Sequence, residues 1–102
     1  MKLKLNIKIT NLKGEFIKAD EKTDATVGLM LSNIVLEPHK DKNGFRPLKA
    51  YELAKKFFEK EEVELDKSDV IQIKELVENC AYQPLIVAQI LEAIINAESE
   101  EK

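Results

Sequence analysis

Lys2-Leu3-Lys4-Leu5-Asn6-Ile7-Lys8-Ile9 alternates strictly between polar and apolar residues. Successive side chains of an extended strand point to opposite faces, so this stretch sets Leu3, Leu5, Ile7 and Ile9 on one face and Lys2, Lys4, Asn6 and Lys8 on the other. Asn11-Leu12-Lys13-Gly14 follows as a turn, and Glu15-Phe16-Ile17-Lys18 reads as a return strand. The expected unit is a 2–9/15–18 hairpin with its lysines exposed. A lone hairpin is marginal in water, so its apolar face must be covered by something else. Further along, Val63 and Leu65 alternate with Glu62, Glu64 and Asp66, which suggests a third short strand near 62–65.

The remaining pattern is helical. Val27, Met30, Leu31, Ile34 and Val35 recur at helical spacing and predict a helix over 25–36, capped by Thr23 or Asp24. Gly28 inside it weakens the helix by up to about 1 kcal/mol. Pro38 ends it, and residues 37–46 form a polar loop with an Asn43-Gly44 turn. Pro47 opens a second helix running to about Glu59, with Ala50, Leu53, Ala54 and Phe57 inward and Tyr51 and Phe58 on the flank. Asp66 or Ser68 caps a third, striped by Val70, Ile73, Val77 and Cys80. Pro84 opens a fourth, 84–96, which is apolar almost all round. Ile90, Leu91 and Ile94 lie mid-arc, so this helix is expected to carry more of the core than any other element. The fold class is α+β: an N-terminal β-hairpin packed against about four helices, one compact domain over 1–97 and a frayed acidic tail over 98–102.

The chain has 102 residues, 44% of them apolar and 34% charged, enough for a single core. No apolar run reaches the ~18 residues of a membrane span, and the alternating start is not a signal peptide. One cysteine, Cys80, excludes an intramolecular disulfide. A cytoplasmic protein without membrane contact is the expectation. Charge is uneven. Residues 1–60 hold 13 basic and 8 acidic side chains (+5), and residues 61–102 hold 3 basic and 11 acidic (−8). Halves of opposite sign can attract within the fold, between two copies, or toward a partner.

Few residues offer chemistry. His39-Lys40-Asp41-Lys42-Asn43-Gly44 matches an EF-hand loop at three positions, but His39 and Ala50 fall where oxygen ligands are needed. Cys80 on an apolar stripe reads as a small hydrophobe, and His39 sits in the polar loop. Glu61, Glu62, Glu64, Asp66, Asp69, Glu75 and Glu78 read as a solvated acidic face. Gly14, Gly28 and Gly44 stand alone, with no phosphate loop. No catalytic, metal or cofactor residues are expected. Two binding surfaces stand out. Leu85, Ile86 and Ala93 lie on or beside the polar strip Gln89–Glu92–Asn96 of the last helix and mark a candidate protein interface. Lys2, Lys4, Lys8, Lys13 and Lys18 form a basic hairpin face, a candidate for nucleic-acid contact, although lysines on an exposed strand also prevent aggregation.

The order of four segments resembles a group of small tailed-bacteriophage and prophage proteins of about a hundred residues. They are Pro47-Leu48-Lys49-Ala50-Tyr51-Glu52-Leu53-Ala54-Lys55-Lys56-Phe57, Glu62–Asp66 with Ile73–Glu78, and Tyr82-Gln83-Pro84-Leu85-Ile86-Val87-Ala88-Gln89-Ile90-Leu91-Glu92. The resemblance implies a short N-terminal hairpin before a helical part, and it brings no assigned activity and no catalytic residues. The expected function is a non-enzymatic, phage-encoded protein-interaction module in the bacterial cytoplasm. It acts as an adaptor, assembly factor or regulator, with a phage or host protein or a second copy as its partner. The alternative is a nucleic-acid-binding accessory protein using the lysine hairpin.

Overall fold

Lys2-Leu3-Lys4 and Glu62-Val63-Glu64 carry the same alternation with opposite charge, and they pair. In the computed structural model, which describes residues 1–37 and 45–100, β1 (Lys2–Lys4) runs antiparallel to β2 (Glu62–Glu64). Lys2 lies opposite Glu64, Leu3 opposite Val63 and Lys4 opposite Glu62. Leu65 N–H donates to the Met1 carbonyl at 2.8 Å and Leu5 N–H to the Glu61 carbonyl at 2.7 Å. Between those bonds the Lys–Glu pairs fall at non-hydrogen-bonded sites, where side chains approach most closely. Opposite charges there favour this register, while Leu3 and Val63 turn into the core. The third strand expected near 62–65 is β2.

The N-terminal hairpin is present but shorter than 2–9/15–18, because β1 is taken by β2. Its tip pairs Thr10 with Phe16, and a third extended segment joins it through Lys8–Thr26 and Lys18–Asp24 bridges. The bonds close a ring. Ile9 N–H donates to Ala25 O at 2.9 Å, Ala25 N–H to Ile17 O at 2.8 Å, and Ile17 N–H to Ile9 O at 2.9 Å. Ile9 and Ala25 are buried, and Ile17 packs against the core. One expected inward residue is out of place. Ile7 is 43% exposed, because the chain leaves the β1 register after Leu5 to bond the start of the first helix, with Val27 N–H donating to the Ile7 carbonyl at 2.9 Å.

α1 (Val27–Leu36) is capped by Thr26, whose Oγ1 accepts from Leu29 N–H at 3.1 Å. Thr23 and Asp24 lie too early to serve, since Asp24 and Ala25 still pair with Lys18 and Ile17 and the helix begins only at Val27. α2 (Pro47–Glu59) starts at its proline and buries Ala50, Leu53, Ala54 and Phe57 as expected. α3 (Lys67–Glu78) is capped by Asp66, which accepts from Asp69 N–H at 2.8 Å. α4 (Pro84–Glu100) is longer than expected. Glu98 pairs with Lys74 of α3, so residues 98–100 are helical rather than frayed. The EF-hand-like run, His39, Pro38 and the Asn43-Gly44 turn lie outside the described residues.

The centre of the core is α1, not α4. Val27, Gly28, Met30, Leu31, Ser32, Ile34 and Val35 are all buried, and α1 contacts α2, α3 and α4. α4 buries only Ile90, Ala93, Ile94 and Ala97. The difference turns on Gly28. A Cβ there would run into the Phe57 carbonyl and stand 2.9 Å from the Leu5 Cβ. Its missing side chain lets α1 sit against α2 and the N-terminal segment at once. Ser32, the one buried polar residue among those described, donates to the Leu29 carbonyl at 2.7 Å.

Candidate interaction surfaces

The strip of α4 expected to be an interface is covered in part by the fold itself. Gln89 is half-buried and uses its amide as a strand would. Its Oε1 accepts from Thr10 N–H at 3.0 Å and its Nε2 donates to the Thr10 carbonyl at 2.6 Å. Nε2 also lies 3.2 Å from the Leu85 carbonyl. This clamp lays the hairpin on the start of α4. Ala93 is 7% exposed and belongs to the core, which removes it as surface. Ile86 packs against the core and Leu85 is half-buried. The large apolar residues beside the polar strip therefore have an intramolecular role.

The basic hairpin face is exposed but internally balanced. Lys8 and Lys18 both reach Asp24, at 3.0 and 2.6 Å. The Lys18 and Lys8 ammonium groups hold the Asp24 carboxyl below its usual range. Lys8 also lies 4.6 Å from the centre of the Phe16 ring. Lys2 and Lys4 stand across from Glu64 and Glu62. Lys13 sits in the tip, where Asn11 Oδ1 accepts from the Lys13 and Glu15 N–H groups at 2.9 and 3.1 Å and Gly14 takes φ +88°. Lys8 and Lys18 thus form ion pairs within the chain, whereas Lys2 and Lys4 only lie opposite Glu64 and Glu62 in the strand register. Phosphate binding needs charge that remains uncompensated, so this surface is weaker than the sequence suggested. Lys49 Nζ lies 2.7 Å from Asp69 Oδ1, an ion pair that joins the basic half of the chain to the acidic one.

A different surface is left apolar. α2 buries one side and exposes Leu48, Tyr51 and Phe58 on another, at 70%, 55% and 69%. With Lys55 they recur at three- and four-residue steps, forming one stripe along the helix. Lys55 Nζ lies 5.2 Å from the centre of the Tyr51 ring. Sequence reasoning placed Tyr51 and Phe58 on a flank but passed over Leu48. The available signal was that α2 has large apolar residues on both sides, more than its own packing needs.

A second concavity, about 970 Å³, lies where α3 and α4 meet the N-terminus, lined by Met1, Leu65, Val70, Ile71, Ile95 and charged neighbours. Lys74 and Glu98 pair across it. The Asp66 carboxyl at its end is lowered first by the Asp69 N–H and then by the Ser68 hydroxyl. Cys80 is half-buried against the core. Among the described residues, no three His, Cys, Asp or Glu side chains gather to hold a metal ion. No described helix is long and apolar enough to cross a membrane. The chain matches no protein-family model, no curated protein and no solved structure.

Proposed function

We propose that the protein is a non-enzymatic interaction module that associates with itself through the outer face of α2. The observation that carries this reading is the stripe of Leu48, Tyr51 and Phe58, each more than half exposed on a helix whose other side is already buried. Tyrosine and phenylalanine bury large areas at low entropic cost and are enriched at protein interfaces.

Charge selects a second copy as the occupant. Lys49, Glu52, Lys56 and Glu59 read plus, minus, plus, minus along α2. Reversed, the order is minus, plus, minus, plus, so two antiparallel copies of α2 set each lysine near a glutamate. Lys49 is already bound to Asp69, which leaves the two symmetric Glu52–Lys56 pairs flanking the twofold. The same arrangement brings Leu48 and Tyr51 of one copy alongside Phe58 and Lys55 of the other. The resemblance to phage and prophage proteins supports a phage origin for such a module, and Pro47–Phe57, one segment that carries it, is nearly the whole of α2.

Light-scattering mass across a concentration series tests the reading. The wild type is expected to reach twice the chain mass. Tyr51→Ser with Phe58→Ser is expected to stay monomeric with an unchanged helix signal, because both side chains point outward. A wild type that remains monomeric at high concentration overturns the proposal.

A further inference from the structure

We infer that the outer edge of β2 accepts an added strand, and that the strand it fits is an extended segment of another protein in which basic residues alternate with apolar ones. In an antiparallel pair, alternate residues direct their backbone groups toward the partner strand. Leu65 N–H bonds Met1 and Leu5 N–H bonds Glu61, so the parity of the ribbon gives Val63 to Leu3 and turns the N–H and C=O groups of Glu62 and Glu64 away from β1. The sheet has two strands, in the order β1-β2, so among the described residues no third strand takes that edge. Glu62 and Glu64 are exposed.

The chemistry of the occupant is written on the inner side of the same strand. β2 already pairs with Lys2-Leu3-Lys4, which sets Lys2 and Lys4 opposite Glu64 and Glu62 in register while Leu3 meets Val63, and Glu64 Oε1 lies 3.5 Å from the N-terminal ammonium. A strand of the same pattern on the outer edge sets its basic residues against the exposed carboxylates of Glu62 and Glu64 and continues the apolar face. A second copy's β2 does not fit, because antiparallel pairing would set Glu62 against Glu64 of the other chain, and like charges directly opposite destabilise a sheet. This surface is separate from the α2 stripe and does not depend on it.

The probe is the peptide acetyl-Lys-Leu-Lys-Val-Lys-amide, titrated into the isotope-labelled full chain and followed by amide chemical shifts and hydrogen exchange. The control is acetyl-Glu-Leu-Glu-Val-Glu-amide. With the basic peptide, the Glu62 and Glu64 amides are expected to shift to saturation and exchange more slowly, and with the acidic peptide they are expected to stay put. Glu62→Gln with Glu64→Gln is expected to weaken binding of the basic peptide about tenfold. The comparison of two peptides on the wild type decides the matter even if the double variant folds poorly. Equal response to both peptides, shifts that spare the Glu62 and Glu64 amides, or no response at millimolar basic peptide overturns the inference.

Discussion

α1 and α4 look alike as strings of residues, and the fold treats them differently. Val27–Leu36 contains Ser32 and Asn33 as its only polar side chains, and Pro84–Asn96 contains Gln89, Glu92 and Asn96. α1 is buried on seven of its ten residues, whereas α4 leaves Ile95 54% exposed and reaches out to pair with α3 at Glu98. An apolar surface almost all round favoured α4 as the central helix. The glycine decided against it. Gly28 costs helix propensity, and in exchange it lets one helix touch two neighbours at backbone distance. A residue that weakens a helix locally can mark the helix that the rest of the chain crowds.

The largest effect expected of this contrast is in the core. Leu31→Ala and Ile34→Ala remove fully buried side chains from α1 and should each cost about 2–5 kcal/mol, whereas Ile95→Ala on α4 should cost less than about 0.5 kcal/mol. Chemical denaturation of the variants measures both. Equal losses at Ile95 and Ile34 would break the contrast. Gly28→Ala comes next. The added methyl meets the Phe57 carbonyl and the Leu5 Cβ, so overpacking should outweigh the gain in helix propensity and leave a net loss of about 1–3 kcal/mol. A neutral or stabilising Gly28→Ala would show that α1 can back away from α2 at no cost.

Much of this architecture was legible. Pro47 and Glu59 bound α2 where the pattern placed them, Asp66 caps α3, and the alternation at 62–65 is a strand. What failed has physical causes. The partner of Lys2–Lys4 was sought in the adjacent return strand, while its true partner is distant in sequence and selected by charge, which periodicity does not weigh. The three-segment ring at Ile9, Ile17 and Ala25 uses single bridges too short to leave a pattern, and it moves the cap of α1 from the expected Thr23 or Asp24 to Thr26. The candidate interface was misplaced for a related reason. Gln89 reads as the polar edge of a helix, yet its amide pairs with the Thr10 backbone, and Ile86 packs against the core. The apolar stripe of α2 was visible in Leu48, Tyr51 and Phe58, but only the structure shows that nothing in the described chain covers them.

Gln89 sharpens the same comparison at a smaller scale, because it ties the peripheral helix to the ring. Gln89→Ala removes both partners of the Thr10 backbone pair and should cost about 1–2 kcal/mol. Hydrogen exchange at the Thr10 amide should quicken in that variant while the Leu31 amide in α1 changes little. Leu85→Ser with Ile86→Ser should lower stability without changing the mass of the particle, the opposite of what Tyr51→Ser with Phe58→Ser is expected to do.

The smallest expected effect is electrostatic and sits at the periphery. Asp24 is lowered by Lys18 and then Lys8, Asp66 by the Asp69 N–H and then the Ser68 hydroxyl, and Asp20 chiefly by the Lys22 N–H. A carboxyl whose folded pKa lies below its unfolded value of 3.8 stabilises the fold above that value, and the contribution disappears as pH falls through the folded pKa. Stability should therefore hold from neutral pH down to about 4 and decline below it, with the exposure of Asp20 and Asp66 keeping their shares small. Lys49 runs the other way. Asp69 raises its pKa above 10.5, so its contribution is complete below that value and is lost as pH rises through the higher folded pKa. Denaturation midpoints of the wild type and Asp24→Asn across the acid range separate these terms. Asp24→Asn should be slightly less stable than the wild type at neutral pH, and the gap should narrow below pH 3.8 and close as pH falls through the lower folded pKa of Asp24. A gap that persists unchanged into acid would mean that Asp24 holds Lys8 and Lys18 by hydrogen-bond geometry alone, and that the charge of Asp24 contributes nothing to the fold.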